Sequence, residues 1–193
     1  MKKIIISSIL ASMLTVSTAS AFDDQREGFL VGIGAGASIV NTSLDVYDSY
    51  YGSFSSDESS FGLATSFKLG YGFNNQFLLY YTNDVSWFGL KGTNDTFITG
   101  GSSIGAMYYI DENSPIYLVG AIGIGSFSNF TNGGGETGST FSIGGGYEVS
   151  PHVLLEATYQ HVNVEDYYND GYNYGSADVS TNSFRFTINY MWY

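Results

Sequence analysis

The chain has 193 residues, a formal net charge of −12 and no cysteine. That length holds one domain of ordinary size, the missing thiols exclude disulfide staples and thiol chemistry, and the acidity repels nucleic acid. Two prolines beside 25 glycines, 17 tyrosines and 14 phenylalanines form the composition of strands and turns rather than of helices.

Residues 1–21 read as a secretory signal peptide. Lys2 and Lys3 precede an apolar stretch from Ile4 to about Val16, and Ala19-Ser20-Ala21 closes it with the small-x-small pattern of a cleavage site. The apolar stretch is shorter than the ~20 residues a spanning helix needs. Cleavage after Ala21 leaves a domain over 22–193 whose cations are Arg26, Lys68, Lys91 and Arg185.

From Gly28 onward the apolar period is two. The first strand runs from about Gly28 to Ile39, with Phe29, Val31, Ile33, Ala35, Ala37 and Ile39 on one face and mainly glycines on the other. The second, about Phe61 to Gly72, sets Phe61, Leu63, Phe67, Leu69 and Tyr71 against Gly62, Ala64, Ser66, Lys68 and Gly70. The third, Gln76 to Phe88, carries Phe77, Leu79, Tyr81, Val85 and Trp87 opposite Tyr80, Thr82, Asp84 and Ser86. A glycine-rich fourth spans about Thr96 to Ile110 with no clear facing, and the fifth spans Ile116 to Phe127. The sixth, Thr140 to Val149, alternates Phe141, Ile143, Tyr147 and Val149 with Ser142, Gly144, Gly146 and Glu148. The seventh, Val153 to Val164, alternates Val153, Leu155, Ala157 and Tyr159 with Leu154, Glu156, Thr158 and Gln160; Thr181 to Tyr193 is the eighth.

Connections alternate in length. Val40 to Ser60, Gly89 to Asp95, Ser128 to Ser139 and Glu165 to Ser180 read as longer loops, separated by tight turns at Phe73 to Asn75, Asp111 to Pro115 and Ser150 to His152. Long loops at one rim and short turns at the other suit an up-and-down antiparallel barrel in a membrane. The bulky stripes then face lipid, and glycine, serine and threonine line the interior, the reverse of a soluble barrel. Backbone groups in hydrocarbon require the sheet to close. Phe61, Trp87, Phe127 and Phe141 at the loop rim, and Tyr71, Phe77, Tyr108, Tyr147 and Trp192 at the turn rim, make two interfacial girdles.

The segments "LVGIGAGAS", "LGYGFNNQFLLYYTNDVSW", "YYIDENSPIYLVGAIGIG" and "FRFTINYMWY", in this order over Gly28 to Tyr193, resemble the small eight-stranded outer-membrane barrels: the OmpX-like, opacity-protein and OmpA-barrel families. The resemblance implies an all-β transmembrane barrel in the bacterial outer membrane. Its partners would be membrane lipid, lipopolysaccharide and the assembly machinery that reads the aromatic terminal strand, with Tyr190, Trp192 and Tyr193 as that signal. Alternation from Tyr193 passes through Met191, Asn189 and Thr187, while the oily stripe runs through Trp192 and Tyr190, so the terminal register stays open.

Lys68, Asp84, Glu148, Glu156 and Arg185 fall on inward positions and must pair, because the lumen of so small a barrel is filled by side chains. Gln160 is expected opposite Arg185 and Glu156 opposite Asn189. Lys68 is expected to answer Glu148 or Glu156, and Arg185 to lie near Asp84. The cluster is either a structural plug or a gate. Catalysis is not expected: some small barrels modify lipid A with histidine, serine and a carboxylate, but His152 sits in a turn and His161 faces outward, neither with a serine at motif spacing. No metal or cofactor is expected either. The acidic, tyrosine-rich loops, with Asp45, Tyr47, Tyr50, Tyr51, Tyr167, Tyr168 and Tyr172, suit contact with an extracellular surface ligand, or divalent cations that bridge lipopolysaccharide. The expectation is a monomeric, non-enzymatic barrel with a structural or surface-interaction role; the alternative is a narrow pore or small-solute transporter gated by the interior charges.

Overall fold

The computed structural model describes residues 26–50, 52–130, 134–169 and 174–193. Eight strands follow in chain order: β1 (Gly28–Asp48), β2 (Gly52–Gly72), β3 (Phe77–Gly89), β4 (Thr96–Tyr109), β5 (Ile116–Asn129), β6 (Gly134–Ser150), β7 (Val153–Asn169) and β8 (Tyr174–Trp192). Each pairs antiparallel with its neighbours in sequence, and β8 pairs with β1 from Val31↔Trp192 to Asp48↔Gly175. The sheet therefore closes, which satisfies every strand through the membrane from both sides.

Exposure settles which face is which. Ile122 is 72 % exposed and Phe186 58 %, whereas Lys68 and Arg185 are each 2 % exposed. Charges inside and oil outside fit a barrel whose surroundings are acyl chains. Inward glycines stand opposite the bulkiest lumenal side chains. Gly105 faces Tyr80 and Gly146 faces Tyr117 across the ladder. A Cβ on Gly105 would come within 2.8 Å of the Tyr80 ring, and one on Gly146 would overlap the Tyr117 hydroxyl. Large-against-small alternation of this kind fills a narrow barrel.

Three sequence expectations need correction. Val40 to Ser60, Ser128 to Ser139 and Glu165 to Ser180 are mostly strand, not loop. β1 and β2 stay paired up to Asp48↔Gly52, and β7 and β8 up to Asn169↔Tyr174. The apolar alternation stops near Ile39 and Phe61 because lipid stops there, but backbone pairing needs no oily side chains and continues. Neighbouring strands do not all follow: the β2–β3 ladder ends at Gly62↔Phe88, and the β6–β7 ladder at Ser139↔Asn163. A four-stranded sheet in the order β7-β8-β1-β2 thus projects beyond the rim.

The second correction concerns the lumen. Leu30, Leu78, Met107, Tyr109, Tyr117, Val119, Leu154, Met191 and Tyr193 form a packed apolar floor at the turn rim, where small and polar residues were expected. They lie on the inward parity of their strands, and a sealed end has no water to favour polar groups. Third, Phe127 is not part of an outer girdle. It pairs opposite buried Thr99 and stacks on Phe97 at 5.9 Å, so its ring belongs to the inner face.

Candidate functional site

Above the apolar floor lies a layer of buried charge. Lys68 Nζ donates to both carboxylate oxygens of Glu156, at 2.8 and 3.0 Å, and the Tyr117 hydroxyl donates to Glu156 Oε2 at 3.4 Å. Arg185 Nη1 stands 3.1 Å from Asp84 Oδ1, while its Nη2 donates to the Thr65 carbonyl at 2.7 Å. Thr82 Oγ1 donates to the other Asp84 oxygen at 2.9 Å. The four charges sit on β2, β3, β7 and β8, so the two pairs brace the lumen across its width. Buried ions are tolerated only when matched in this way. Arg185 Nε is buried without a hydrogen-bond partner, which makes the arginine pair the less complete of the two.

The cross-strand register differs from expectation by two residues: Thr158 faces Arg185, Gln160 faces Ser183 and Glu156 faces Thr187, because the hairpin closes at Asn169↔Tyr174. A two-residue shift keeps every side chain on its face, so the charges remain in the lumen. Arg185 Nη1 still reaches Gln160 Oε1, at 3.5 Å.

Glu148 lies apart from the layer and binds a residue that the alternation pattern did not single out. Arg26, just before β1, donates to Glu148 Oε2 through Nε at 2.9 Å and Nη2 at 2.7 Å. Its Nη1 donates to the carbonyls of Asn75 and Glu112, and its Nη2 to that of Ser114. The guanidinium also lies 3.6 Å from the centroid of the Tyr109 ring. One side chain thereby ties together the β2–β3 turn, the β4–β5 turn and the end of β6. The available signal was arithmetic: Arg26 is one of only four cations of the domain that could answer an interior acid such as Glu148.

No family model matches the sequence, and no curated protein matches it. Among solved structures, the chain resembles Neisserial surface protein A at 19% identity, over 84% of this chain and 96% of that one, with a TM-score of 0.50. It also resembles the outer membrane protein AlkL, solved in lipid bilayers, at 12% identity over 86% and 91%, with a TM-score of 0.52. Closure, lipid-facing stripes and these likenesses agree. The chain has the fold of the eight-stranded outer-membrane β-barrels.

In this barrel both histidines have structural partners. His152, with a positive φ of 70° in the β6–β7 turn, holds the Met191 carbonyl through Nδ1 at 2.9 Å. His161 Nδ1 meets Asn182 Oδ1 at 2.9 Å, and that oxygen also accepts from the Tyr159 hydroxyl. Of the terminal aromatics, Tyr190 and Trp192 follow the outward parity. Tyr193 points inward, 5 % exposed, with its hydroxyl 3.3 Å from that of Tyr109. This resolves the terminal register: the last side chain closes the floor instead of extending the lipid-facing stripe.

Asp45 and Tyr47 lie on the exposed outward face of the projecting part of β1, and Tyr50 is at its tip. Tyr167 and Tyr168 belong to β7 by backbone. Their side chains, all of Tyr51 and Tyr172, and the cleavage residues Ala19 and Ala21 lie outside the described residues. Glu165, Asp178 and Asp45 occupy one cross-strand row on adjacent strands of the barrel, yet among the described residues no group of three acids or histidines is placed to hold a metal ion.

Proposed function

We propose that this barrel is non-enzymatic and works at the cell surface, its projecting sheet binding an extended stretch of another polypeptide. One observation carries this reading: Gly52–Phe61 of β2 pairs with β1 on one side and lies beyond the end of the β3 ladder on the other. An unpaired strand edge offers main-chain donors and acceptors to an incoming strand. The segments 40–61 and 163–182 contain no lysine or arginine and hold Asp45, Asp48, Asp57, Glu58, Glu165, Asp166, Asp170 and Asp178. A basic partner therefore fits, and a polyanion does not.

The rest of the reading follows from the same chain. Export by a signal cleaved after Ala21 brings it to the outer membrane, and Tyr190, Trp192 and Tyr193 serve as the assembly signal. The narrow-pore alternative is less well supported, because an ion reaching the Lys68 and Arg185 layer still meets the apolar floor beneath it. The test compares retention of purified full-length protein on immobilised extended peptides, basic against acidic. Deleting Asp45 to Ser59, or Glu165 to Asp178, abolishes retention on basic peptides while the heat-dependent shift in gel mobility persists. Equal retention by intact and deleted proteins would sink the proposal.

A further inference from the structure

A lipid-facing surface at mid-bilayer should present no hydrogen-bonding group without a partner, since acyl chains supply none. Asn83 breaks this pattern. Along β3 the inward residues Leu78, Tyr80, Thr82, Asp84, Ser86 and Phe88 are all buried, which puts Phe77, Leu79, Tyr81, Asn83, Val85 and Trp87 on the outer face. Asn83 lies midway along this stripe, opposite Phe67, which stands between Phe61 and Tyr71 on the lipid-facing side of β2. Its Nδ2 donates to Ser102 Oγ at 3.1 Å, and that hydroxyl is shared with the Tyr81 hydroxyl at 2.9 Å. Asn83 Oδ1 and the second amide hydrogen have no partner among the described residues.

The surroundings are low in relief. Ser102 faces Asn83 across the β3–β4 ladder, Gly100 faces Val85, and Ser126 faces Gly100 on β5. Together they form a shallow polar notch within the apolar band. On the far wall Ile143, Leu155, Phe186 and Ile188 keep the outer face oily.

We propose that Asn83 is the hydrogen-bonding centre of an interface between two copies of this barrel inside the membrane. The primary amide has one free donor and one free acceptor, so the same amide on a second copy, related by a two-fold axis, satisfies both at once. Gly100 and Ser102 remove the bulk that would hold two barrels apart, as small residues do where membrane segments pack. A lipid fits less well: its tails have neither group, and its headgroup lies at the rim rather than at the height of Phe67. The monomer expected from sequence thus becomes the dissociated half of a pair.

The experiment reads energy transfer between donor- and acceptor-labelled copies in phosphatidylcholine vesicles. Labels go on a cysteine introduced at Ser55, since the chain has none of its own. The protein with Asn83 intact transfers energy above the random-mixing level as lipid is diluted. Asn83→Leu weakens self-association about tenfold, and Asn83→Gln, which keeps the amide, restores most of it. Both variants keep the heat-dependent gel shift, because the position touches no core residue. A second measurement places nitroxides at Ile104 or Ile188; the distance between copies is shorter for Ile104, on the notched wall. Transfer no higher than random mixing, an Asn83→Leu variant that associates as well as its parent, or equal distances from the two walls would overturn the proposal.

Discussion

At the turn rim Arg26 binds two turns and the end of β6 and stacks on Tyr109 beneath a packed apolar floor. At the other end, four strands leave the barrel with a neighbour missing on either flank. The difference teaches where this molecule keeps its stability and where it keeps its reach. Between floor and mouth, the Lys68–Glu156 pair is the deepest point of commitment. Breaking it has the largest expected effect. Glu156→Leu leaves Lys68 as an unmatched buried charge and destabilises the barrel by about 4 kcal/mol in urea unfolding from lipid vesicles. Replacing both partners, Lys68→Met with Glu156→Leu, recovers most of that loss, because desolvation of the pair offsets much of its attraction. If the double variant is as unstable as the single one, the layer is held by something other than charge matching.

The turn rim gives the next largest effect. Arg26→Ala removes two charge-assisted bonds to Glu148 and three to backbone carbonyls, and exposes Glu148 to water. The expected loss is about 2 kcal/mol by the same unfolding measurement, smaller than at Glu156 because the rim can rehydrate. Shortening β1 and β2 between Asp45 and Ser59 is expected to leave that stability unchanged. A comparable loss from the shortening would show that the projecting sheet, and not only the rim, holds the barrel together.

What the sequence made legible follows the same division. Period-two alternation marked eight strands, and oil on one face beside glycine and hydroxyls on the other marked the outside as lipid. Lys68, Asp84, Glu156 and Arg185 stood out as charges on the inward parity of their strands. Two things were hidden. Alternation reports the environment, not pairing, so it fell silent where β1, β2, β7 and β8 leave the membrane with polar residues on both faces. Arg26 precedes the first strand and belongs to no pattern; only its scarcity as a cation pointed to it. Of the floor residues, Leu78 was legible as inward by parity, whereas Met107 and Tyr117 lie on strands whose glycines left the facing unassigned.

A finer probe of the floor is the hydroxyl contact between Tyr109 and Tyr193. Tyr193→Phe keeps the ring packing and loses one hydrogen bond at 3.3 Å, for an expected cost of about 1 kcal/mol. Tyr193→Ala also opens a cavity beside Met191 and Tyr109 and costs about 3 kcal/mol or more. Similar values for the two variants would mean that the ring contributes no packing, and the inward register of the last residue would have to be abandoned.

The smallest effect has the opposite sign and belongs to the projecting end. Asp178 on β8 stands directly opposite Glu165 on β7 and Asp45 on β1. Like charges facing one another across a ladder oppose pairing by up to about 1 kcal/mol. Asp178→Asn is therefore expected to stabilise the projecting sheet by roughly 0.5 kcal/mol, seen as about twofold slower amide exchange along β1 and β8 above the rim. Exchange at the turn rim should not change. The gain should shrink as salt rises, since Asp45 and Glu165 on either side of Asp178 face water and are screened. A gain independent of salt would point to packing instead of repulsion, and faster exchange would mean that Asp178 supports the sheet it was expected to loosen. A slower, salt-sensitive rate would show that this end keeps a repulsion the lumen does not allow.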